Sequence, residues 1–285
     1  MSGRISRILM EVAGLHPTVV ITGATGAIGS SVAAVLVSRG ARVLLLARPT
    51  DRLDSLVERL QRDKRVQGVG VDLAVLASVR RAAREIARSA GHVDALIHTA
   101  AVFSNERRQT ADGFELMLAT NHIGPFVFTN LLRDQLVAGG RVIMVSAPSS
   151  TRVNFDHLLS KDHFRPLQTF GATKAASLMF TFELARRAKR WDVRSNAFHP
   201  GHVRSELMQE ASRPIRLFSR VLSRSADRPA GDLAELATSP AFEGTTGWFF
   251  KGVRRIDAPR STLDVDAQQS LWARTAELVE LEKSF

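Results

Sequence analysis

The sequence predicts an α/β fold, in which a single domain is built on a doubly wound parallel sheet of about seven strands with helices on both faces. Three observations predict it. Short apolar, β-branched runs alternate with amphipathic stretches of helical period, as in buried parallel strands joined by helices. A glycine-rich turn follows the first of these runs. No internal repeat or low-complexity linker divides the chain, so one domain of the Rossmann type is the economical interpretation.

Composition excludes several classes of function. The 285 residues contain no cysteine, which rules out disulfides, thiolate nucleophiles and cysteine-ligated metals, and no histidine–carboxylate cluster has the spacing of a metal site. No apolar run is long enough to span a bilayer. The net charge of +11 comes from arginines interleaved with acids on amphipathic helices, so we expect no nucleic-acid partner. Tyrosine is absent as well, although there are 15 phenylalanines.

The N-terminal extension, residues 1–16, precedes the domain at 17–285. Arg4, Arg7 and Glu11 interrupt its apolar residues, and it has no small-residue cleavage site. We therefore expect a short helix or a partly disordered segment rather than a signal peptide, and a cytoplasmic location.

The remaining elements alternate in order. Strands are predicted at 18–21, 42–47, 66–71, 94–98, 141–146, 193–198 and 246–250. Helices are predicted at 30–38, 51–62, 75–90, a stretch ending near 137, 168–189 and 265–281. Ligands of such a sheet bind beyond the carboxyl ends of the strands, where the strand order reverses.

The turn between the first strand and helix reads Thr-Gly-Ala-Thr-Gly-Ala-Ile-Gly over residues 22–29. Strand, glycine turn and helix together aim backbone N–H groups and the positive helix end at a phosphate, so the turn predicts a dinucleotide site. The candidate binding residues are Gly23, Thr25, Ala27, Ile28 and Gly29.

The second strand ends in Ala47 and Arg48, where an NAD-preferring site would carry a carboxylate for the ribose 2′-hydroxyl. Arg48 can instead bind a 2′-phosphate, so the sequence favours NADP(H) over NAD(H). Asp72, which is followed by Leu73 after the third strand, is a candidate to accept a hydrogen bond from the adenine amino group or to cap the next helix.

Across residues 17–281 the sequence resembles the retinol-dehydrogenase-like branch of the short-chain dehydrogenase/reductase family. The matching segments are TGATGAIG (22–29), LLLAR (44–48), VDL (71–73), DALIHTAA (94–101), TNHIGPFVFTNLL (120–132), RVIMVSA (141–147), FGATK (170–174) and HPGHVRSEL (199–207).

The resemblance implies a nicotinamide enzyme whose usual proton donors are missing. Lys174 matches the family lysine and Asn121 the family asparagine, but Phe170 stands where the family has its tyrosine and Ala147 where it has its serine. Losing a positioned general acid costs about 10²–10⁴ in rate, and losing an oxyanion donor about 10²–10³. Because the chain has no tyrosine, no other phenol of this chain replaces the lost one.

The segment after the fourth strand departs from the family pattern, whereas the segment after the sixth strand keeps it. The family's Asn-Asn-Ala-Gly after the fourth strand is here His98, Thr99, Ala100 and Ala101, and His98 becomes a candidate acid or base. The resemblance also assigns Pro200, Gly201, Val203 and Ser205 to the segment that receives the nicotinamide amide.

Residues 204–228 match the region where the family folds a lid over its substrate. They carry Arg213, Arg216, Arg220 and Arg224 between apolar residues, which predicts either an amphipathic helix with a solvated basic face or a cover for an apolar or carrier-bound substrate. Pairing through the helices that contain Asn121 and Lys174, as a homodimer or homotetramer, is implied by the resemblance alone.

Three functions remain open at this point. The first is a non-redox or atypical step, such as cyclisation, isomerisation or dehydration of an apolar biosynthetic intermediate, in a fold that still binds NADP(H). The second is an NADPH-dependent oxidoreductase with a different acid, or a reductase inactivated by engineering at Phe170 and Ala147. The third is a catalytically silent nucleotide-dependent sensor or scaffold.

Overall fold

Seven parallel strands and one antiparallel strand form a single sheet in the computed structural model, which describes residues 16–61, 65–211, 224–282 and 284–285. The strands are β1 (Thr18–Thr22), β2 (Arg42–Ala47), β3 (Val66–Gly70), β4 (Val93–His98), β5 (Leu136–Val145), β6 (Arg194–His199), β7 (Phe249–Lys251) and β8 (Arg254–Ile256). Their spatial order is β3-β2-β1-β4-β5-β6-β7-β8, so the order reverses between β1 and β4. The predicted fold class is confirmed, and the site belongs at that reversal.

Helices cover both faces of the sheet. They are α1 (Ala27–Ser38), α2 (Asp51–Leu60), α3 (Leu76–Ala90), α4, α5 (Phe155–Leu159), α6 (Pro166–Arg187), α7 (Asp227–Thr238) and α8 (Val265–Leu278). Helix α4 is composite, with an α-helical start at Leu116–Leu118, a π-helical turn at Ala119–Ile123 and an α-helical end at Gly124–Leu131. Apolar residues of α1, α2 and α7 form the core on one face, and those of α3, α4 and α6 form the core on the other.

The C-terminal helix α8 lies outside this second layer. Its buried Trp272 packs against Phe126 of α4 and Phe180 of α6, with ring centroids 4.8 and 5.7 Å away. The resemblance implies that two copies of the chain pair through α4 and α6. Part of the surface of these two helices is covered by the chain's own C-terminal helix.

Several predicted boundaries are wrong by three residues or more; the last strand begins at Phe249 rather than 246, and the last helix ends at Leu278 rather than 281. The helix predicted to end near 137 ends at Leu131, and Val137 belongs to β5. Strand β5 begins early because it pairs with Val93 through Leu136 and then shifts register, with Gly139 at a φ of +83° that only glycine adopts easily. The first helix begins at Ala27 rather than Ser30, since the end of the glycine turn already forms its first turn.

The eighth strand was not predicted. Strand β8 turns back from β7 through Gly252, whose φ is +62°, and pairs with it antiparallel. Its residues are mostly charged, so no apolar run marks it in the sequence. An arginine-bearing short strand at a sheet edge also discourages pairing with another sheet.

Two predicted segments fall partly outside the described residues. They are positions 1–15 of the N-terminal extension and positions 212–223 of the lid, which include Arg213, Arg216 and Arg220. Within the described parts of the chain, no helix is both long and apolar enough to cross a membrane.

Candidate functional site

The glycine turn after β1 is held by close backbone contacts. Gly23 has a φ of +70°, and a Cβ there would lie 2.6 Å from the backbone of Ala100. A Cβ on Gly29 would lie 2.3 Å from the Gly23 carbonyl oxygen, to which the Gly26 N–H also donates, at 3.0 Å. Both positions therefore require glycine. Helix α1 starts within the turn, at Ala27, so the N–H groups of its first turn have no acceptor within the helix.

The loop after β4, residues 99–102, lies against this turn across the strand-order reversal. The Thr99 hydroxyl donates to the Thr22 carbonyl at 2.7 Å, and the Thr99 N–H donates to the same oxygen at 3.1 Å. Ala100 and Ala101 follow and are half-buried. The structure thus brings together the two segments from which the sequence predicts a dinucleotide site.

The residues after β2 and β3 are placed differently. Arg48 follows the end of β2 and is exposed, so its guanidinium is available to an anionic group. The Asp72 carboxylate accepts from the Ala74 N–H at 2.9 Å, while its own N–H donates to the Ser78 hydroxyl at 3.0 Å. Asp72 therefore stabilises the turn before α3, and contact with an adenine stays a prediction. Leu73 is buried beside it.

Lys174 is a buried cation without a hydrogen-bonding partner among the described residues. It is only 6% exposed, and its Nζ lies 5.6 Å from the centroid of the Phe170 ring, one helical turn earlier on α6. Burial lowers the pKa of Lys174 to about 8. Such an amine can hold hydroxyl groups of a ligand or exchange a proton near neutral pH.

The end of β5 offers no hydroxyl at Ala147. The neighbouring Ser146 is buried, and its hydroxyl donates to the Lys174 carbonyl oxygen at 3.0 Å. This bond fixes α6 to the sheet and leaves Ser146 turned toward the helix backbone.

Two other hydroxyls lie close to α6. A Cβ built on Gly171 would lie 2.5 Å from Thr151 Oγ1 and 3.1 Å from Ser149 Oγ, so the bare glycine makes room for both. Thr151 and Gly171 were not singled out from the sequence, because their contact depends on how the segment after β5 crosses α6.

Asn121 lies in the π-helical turn of α4 and holds the 99–102 loop by hydrogen bonds. Its Oδ1 accepts from the Val102 N–H at 2.8 Å, and its Nδ2 donates to the Val102 carbonyl at 3.0 Å and to Thr173 Oγ1 at 3.1 Å. Its own carbonyl accepts from the Ser177 hydroxyl at 3.0 Å. π-helical turns often occur at functional sites.

His98 does not face the cleft. It is fully buried in β4, and its Nε2 lies 2.8 Å from Thr129 Oγ1, whose hydroxyl donates to the Pro125 carbonyl. This network assigns the proton to Nε2, and Nδ1 then accepts from the Thr22 hydroxyl at 3.2 Å. Burial lowers the pKa of His98 to about 3. The proposed acid–base role of His98 is therefore corrected: the ring ties β1 and β4 to α4.

We expect the His98→Asn variant to lose part of the acid sensitivity of the fold. Because the pKa of His98 is about 3 in the native state and 6.5 when exposed, the unfolded chain binds the extra proton between these pH values. The free energy of unfolding should therefore fall as the pH is lowered through this window, by about 1.4 kcal/mol per pH unit for one proton. Urea titrations of the wild type and the variant between pH 4 and 6 measure the slope. An unchanged slope contradicts the assignment.

The segment after β6 has an open backbone. Gly201 has a φ of +75° and no atom within 4 Å of a Cβ built on it, while Pro200 beside it is half-buried. Val203 pairs with Arg224, and the exposed Ser205 accepts from the Leu207 N–H at 3.4 Å. These positions leave room for a ligand above Gly201.

An apolar cluster, here called the Phe170 cluster, includes the ring over which the Lys174 amine lies. Its members are Phe103, Met117 and Ala211, which are buried, and Val102, Phe164, Phe170, Leu207 and Met208, which are partly buried. The Phe103 and Phe170 rings meet edge to face at 5.7 Å. The described start of the predicted lid, up to Ala211, thus contributes an apolar cover. No group of three metal-ligating side chains occurs in the described ranges.

The comparisons with known proteins agree with this geometry. The family model for short chain dehydrogenases matches residues 17–215. Human retinol dehydrogenase 14 is 32% identical, over 93% of this chain and 87% of that protein. DnrU of Streptomyces sp. strain C5, a proposed daunorubicin C-13 ketoreductase, is 33% identical over 92% of each chain. The crystal structure of an uncharacterised Mycobacterium paratuberculosis protein, 28% identical, aligns with a TM-score of 0.78 over 94% of this chain and 95% of the other. The chain therefore belongs to the short-chain dehydrogenase/reductase family, with retinol-dehydrogenase-like relatives.

Proposed function

We propose that this protein binds NADP(H) and catalyses a non-redox or atypical step on an apolar intermediate, without the proton-donor pair of its family. The observation that carries the proposal is the buried Lys174, whose amine has no hydrogen-bonding partner in the described parts of the chain. Its buried amine faces a benzyl ring at Phe170 instead of a phenol, 5.6 Å from the ring centroid. The family binds nicotinamide cofactors, and the features that would bind one are kept here.

The residues present fit such a cofactor. The turn at 22–29 tolerates no side chain at Gly23 or Gly29 and ends in helix N–H groups suited to a pyrophosphate. The exposed Arg48 would hold a 2′-phosphate, and the amine of Lys174, which has no acceptor among the described residues, would hold ribose hydroxyls. When bound, the nicotinamide supplies hydride chemistry in this family.

The side chains around Lys174 limit the proton transfers that the protein can catalyse. Phe170 cannot donate a proton, and Ala147 cannot stabilise an oxyanion. Lys174, with a pKa lowered to about 8 by burial, can take a proton from a carbon acid or return one at neutral pH. Proton transfer of this kind is what isomerisation, dehydration and cyclisation require.

The Phe170 cluster favours an apolar substrate, since it places aromatic and aliphatic side chains around the Phe170 ring, over which the Lys174 amine lies. A carrier-bound substrate and a cytoplasmic location stay predictions.

A second candidate is an NADPH-dependent oxidoreductase with another proton source. The names of the relatives favour it, because they describe a retinol dehydrogenase and a proposed ketoreductase. The Ser149 and Thr151 hydroxyls, which come from the segment after β5 and lie beside Gly171 of α6, are candidate replacements for the missing donors.

Binding and turnover together distinguish the two candidates. We expect NADPH to bind, as measured by its fluorescence, and the 340 nm absorbance to stay constant when retinal or daunorubicin is added. The reason is that neither Phe170 nor Ala147 can protonate or stabilise the alkoxide that carbonyl reduction would form.

Arg48→Ala tests whether the protein recognises the 2′-phosphate that distinguishes NADPH from NADH. It removes the guanidinium for the 2′-phosphate, so we expect NADPH affinity to fall about tenfold or more while NADH affinity is unchanged. Rapid NADPH consumption by the wild type establishes the oxidoreductase instead. Absence of nucleotide binding contradicts both candidates.

A further inference from the structure

The C-terminal helix reaches the site through one buried hydrogen bond. His122 lies in the π-helical turn of α4, and its Nε2 is 3.0 Å from Thr275 Oγ1 on α8. The Thr275 hydroxyl donates to the Leu271 carbonyl at 2.7 Å, so the histidine Nε2 must be the donor to Thr275. Both residues are buried, at 2% and 0% exposure.

Little else holds the His122 ring by polar contact. Its Nδ1 is buried and has no hydrogen-bonding partner among the described residues. Around the ring lie Phe126 at 6.1 Å and Phe180 at 6.4 Å, centroid to centroid. In such apolar surroundings, loss of the bond to Thr275 leaves a polar N–H unsatisfied, which costs more than the bond itself contributes.

The residue before His122 is Asn121, which fixes both backbone groups of Val102. Val102 closes the 99–102 loop, and Ala100 of that loop lies directly against Gly23. A continuous series of contacts therefore joins α8 to the glycine turn: Thr275, His122, Asn121, Val102, Ala100 and Gly23.

We propose that His122 is a positioning residue, which ties the C-terminal helix to the π-helical turn so that docking of α8 sets the position of Asn121 and of the 99–102 loop. Relevance to nucleotide binding rests on the proposed function. The coupling itself concerns only the contacts of the chain.

Thr275→Val is the direct test, with Thr181→Val as its matched control. Both threonines are fully buried, and each donates to the carbonyl four residues earlier in its helix, but Thr181 has no bond to His122. We expect Thr275→Val to accelerate hydrogen exchange about tenfold in peptides covering 99–104 and 116–124, since a buried polar group is left unpaired. Thr181→Val should leave both peptides unchanged.

Substitution of His122 gives a second test. His122→Leu removes the same link but leaves no unpaired ring N–H, so we expect it to accelerate exchange in the same two peptides by less than Thr275→Val does. His122→Gln, whose amide can still donate to Thr275, should keep exchange slow. The double variant His122→Leu with Thr275→Val should exchange no faster than Thr275→Val alone, because both substitutions remove the same bond.

Affinity for NADPH, measured far below the unfolding temperature, adds a readout that a merely structural role would not move. We expect the dissociation constant to rise about three- to tenfold in Thr275→Val and to return in His122→Gln. Equal exchange in Thr275→Val and Thr181→Val overturns the inference. If Thr275→Val accelerates exchange as expected but the protein binds no nucleotide, the proposed function is overturned, and the link from α8 to Asn121 still stands.

Discussion

The Phe170→Tyr, Ala147→Ser double variant is expected to reduce carbonyl compounds with NADPH at least about a thousandfold faster than the wild type. A hydroxyl on the Phe170 ring would stand one helical turn before Lys174, whose buried ammonium lowers the pKa of a neighbouring phenol. The serine restores an oxyanion donor at the end of β5. The measurement is the fall in absorbance at 340 nm with retinal or daunorubicin as substrate.

Phe164→Tyr is the control for this variant. Phe164 belongs to the same apolar cluster but precedes α6, so its phenol does not share a helical face with Lys174. It should give no activity, and each single restoration should fall well short of the double variant. Robust reduction by the unmodified protein would show that another acid is already in place.

The second large effect is expected for Gly23→Ala. The left-handed φ of +70° costs an alanine about 1–2 kcal/mol, and its methyl would lie 2.6 Å from the Ala100 backbone. We expect a loss of at least about 3 kcal/mol in the free energy of unfolding, together with loss of NADPH binding, because either the turn or the 99–102 loop must move. Urea denaturation and NADPH fluorescence measure the two losses.

Gly244→Ala separates backbone strain from steric collision. Gly244 also has a positive φ, +82°, but no atom lies within 4 Å of a Cβ built there. It should cost only about 1–2 kcal/mol and leave NADPH binding intact. Equal losses in the two variants would mean that the contact between Gly23 and Ala100 is unimportant.

Much of the fold could be predicted from the sequence, because its parallel strands are short apolar runs separated by amphipathic helices. The parts that were missed have no such pattern. Strand β8 is largely charged and exists because a turn at Gly252 lays it against β7. Strand β5 begins within a stretch that continues the apolar pattern of the preceding helix, and only Gly139 marks the bulge.

The site shows the same division. The glycine turn can be predicted from the sequence because its residues are neighbours in the chain, and the structure brings it against the loop after β4. The burial of His98 cannot be predicted in this way, since it depends on Thr22 and Thr129, which lie 76 and 31 residues away. Likewise, the hydroxyls beside Gly171 come from another segment of the chain. Spacing identified the positions; tertiary packing decided which of them face a ligand.

The aromatic stack at the C-terminal helix has an optical consequence. With three tryptophans and no tyrosine, the near-ultraviolet emission of the protein comes from indoles alone. Trp272 is 3% exposed between phenylalanine rings, whereas Trp248 is 38% exposed. Release of the last helix should therefore shift the emission maximum toward longer wavelengths, giving a built-in fluorescent reporter that needs no dye.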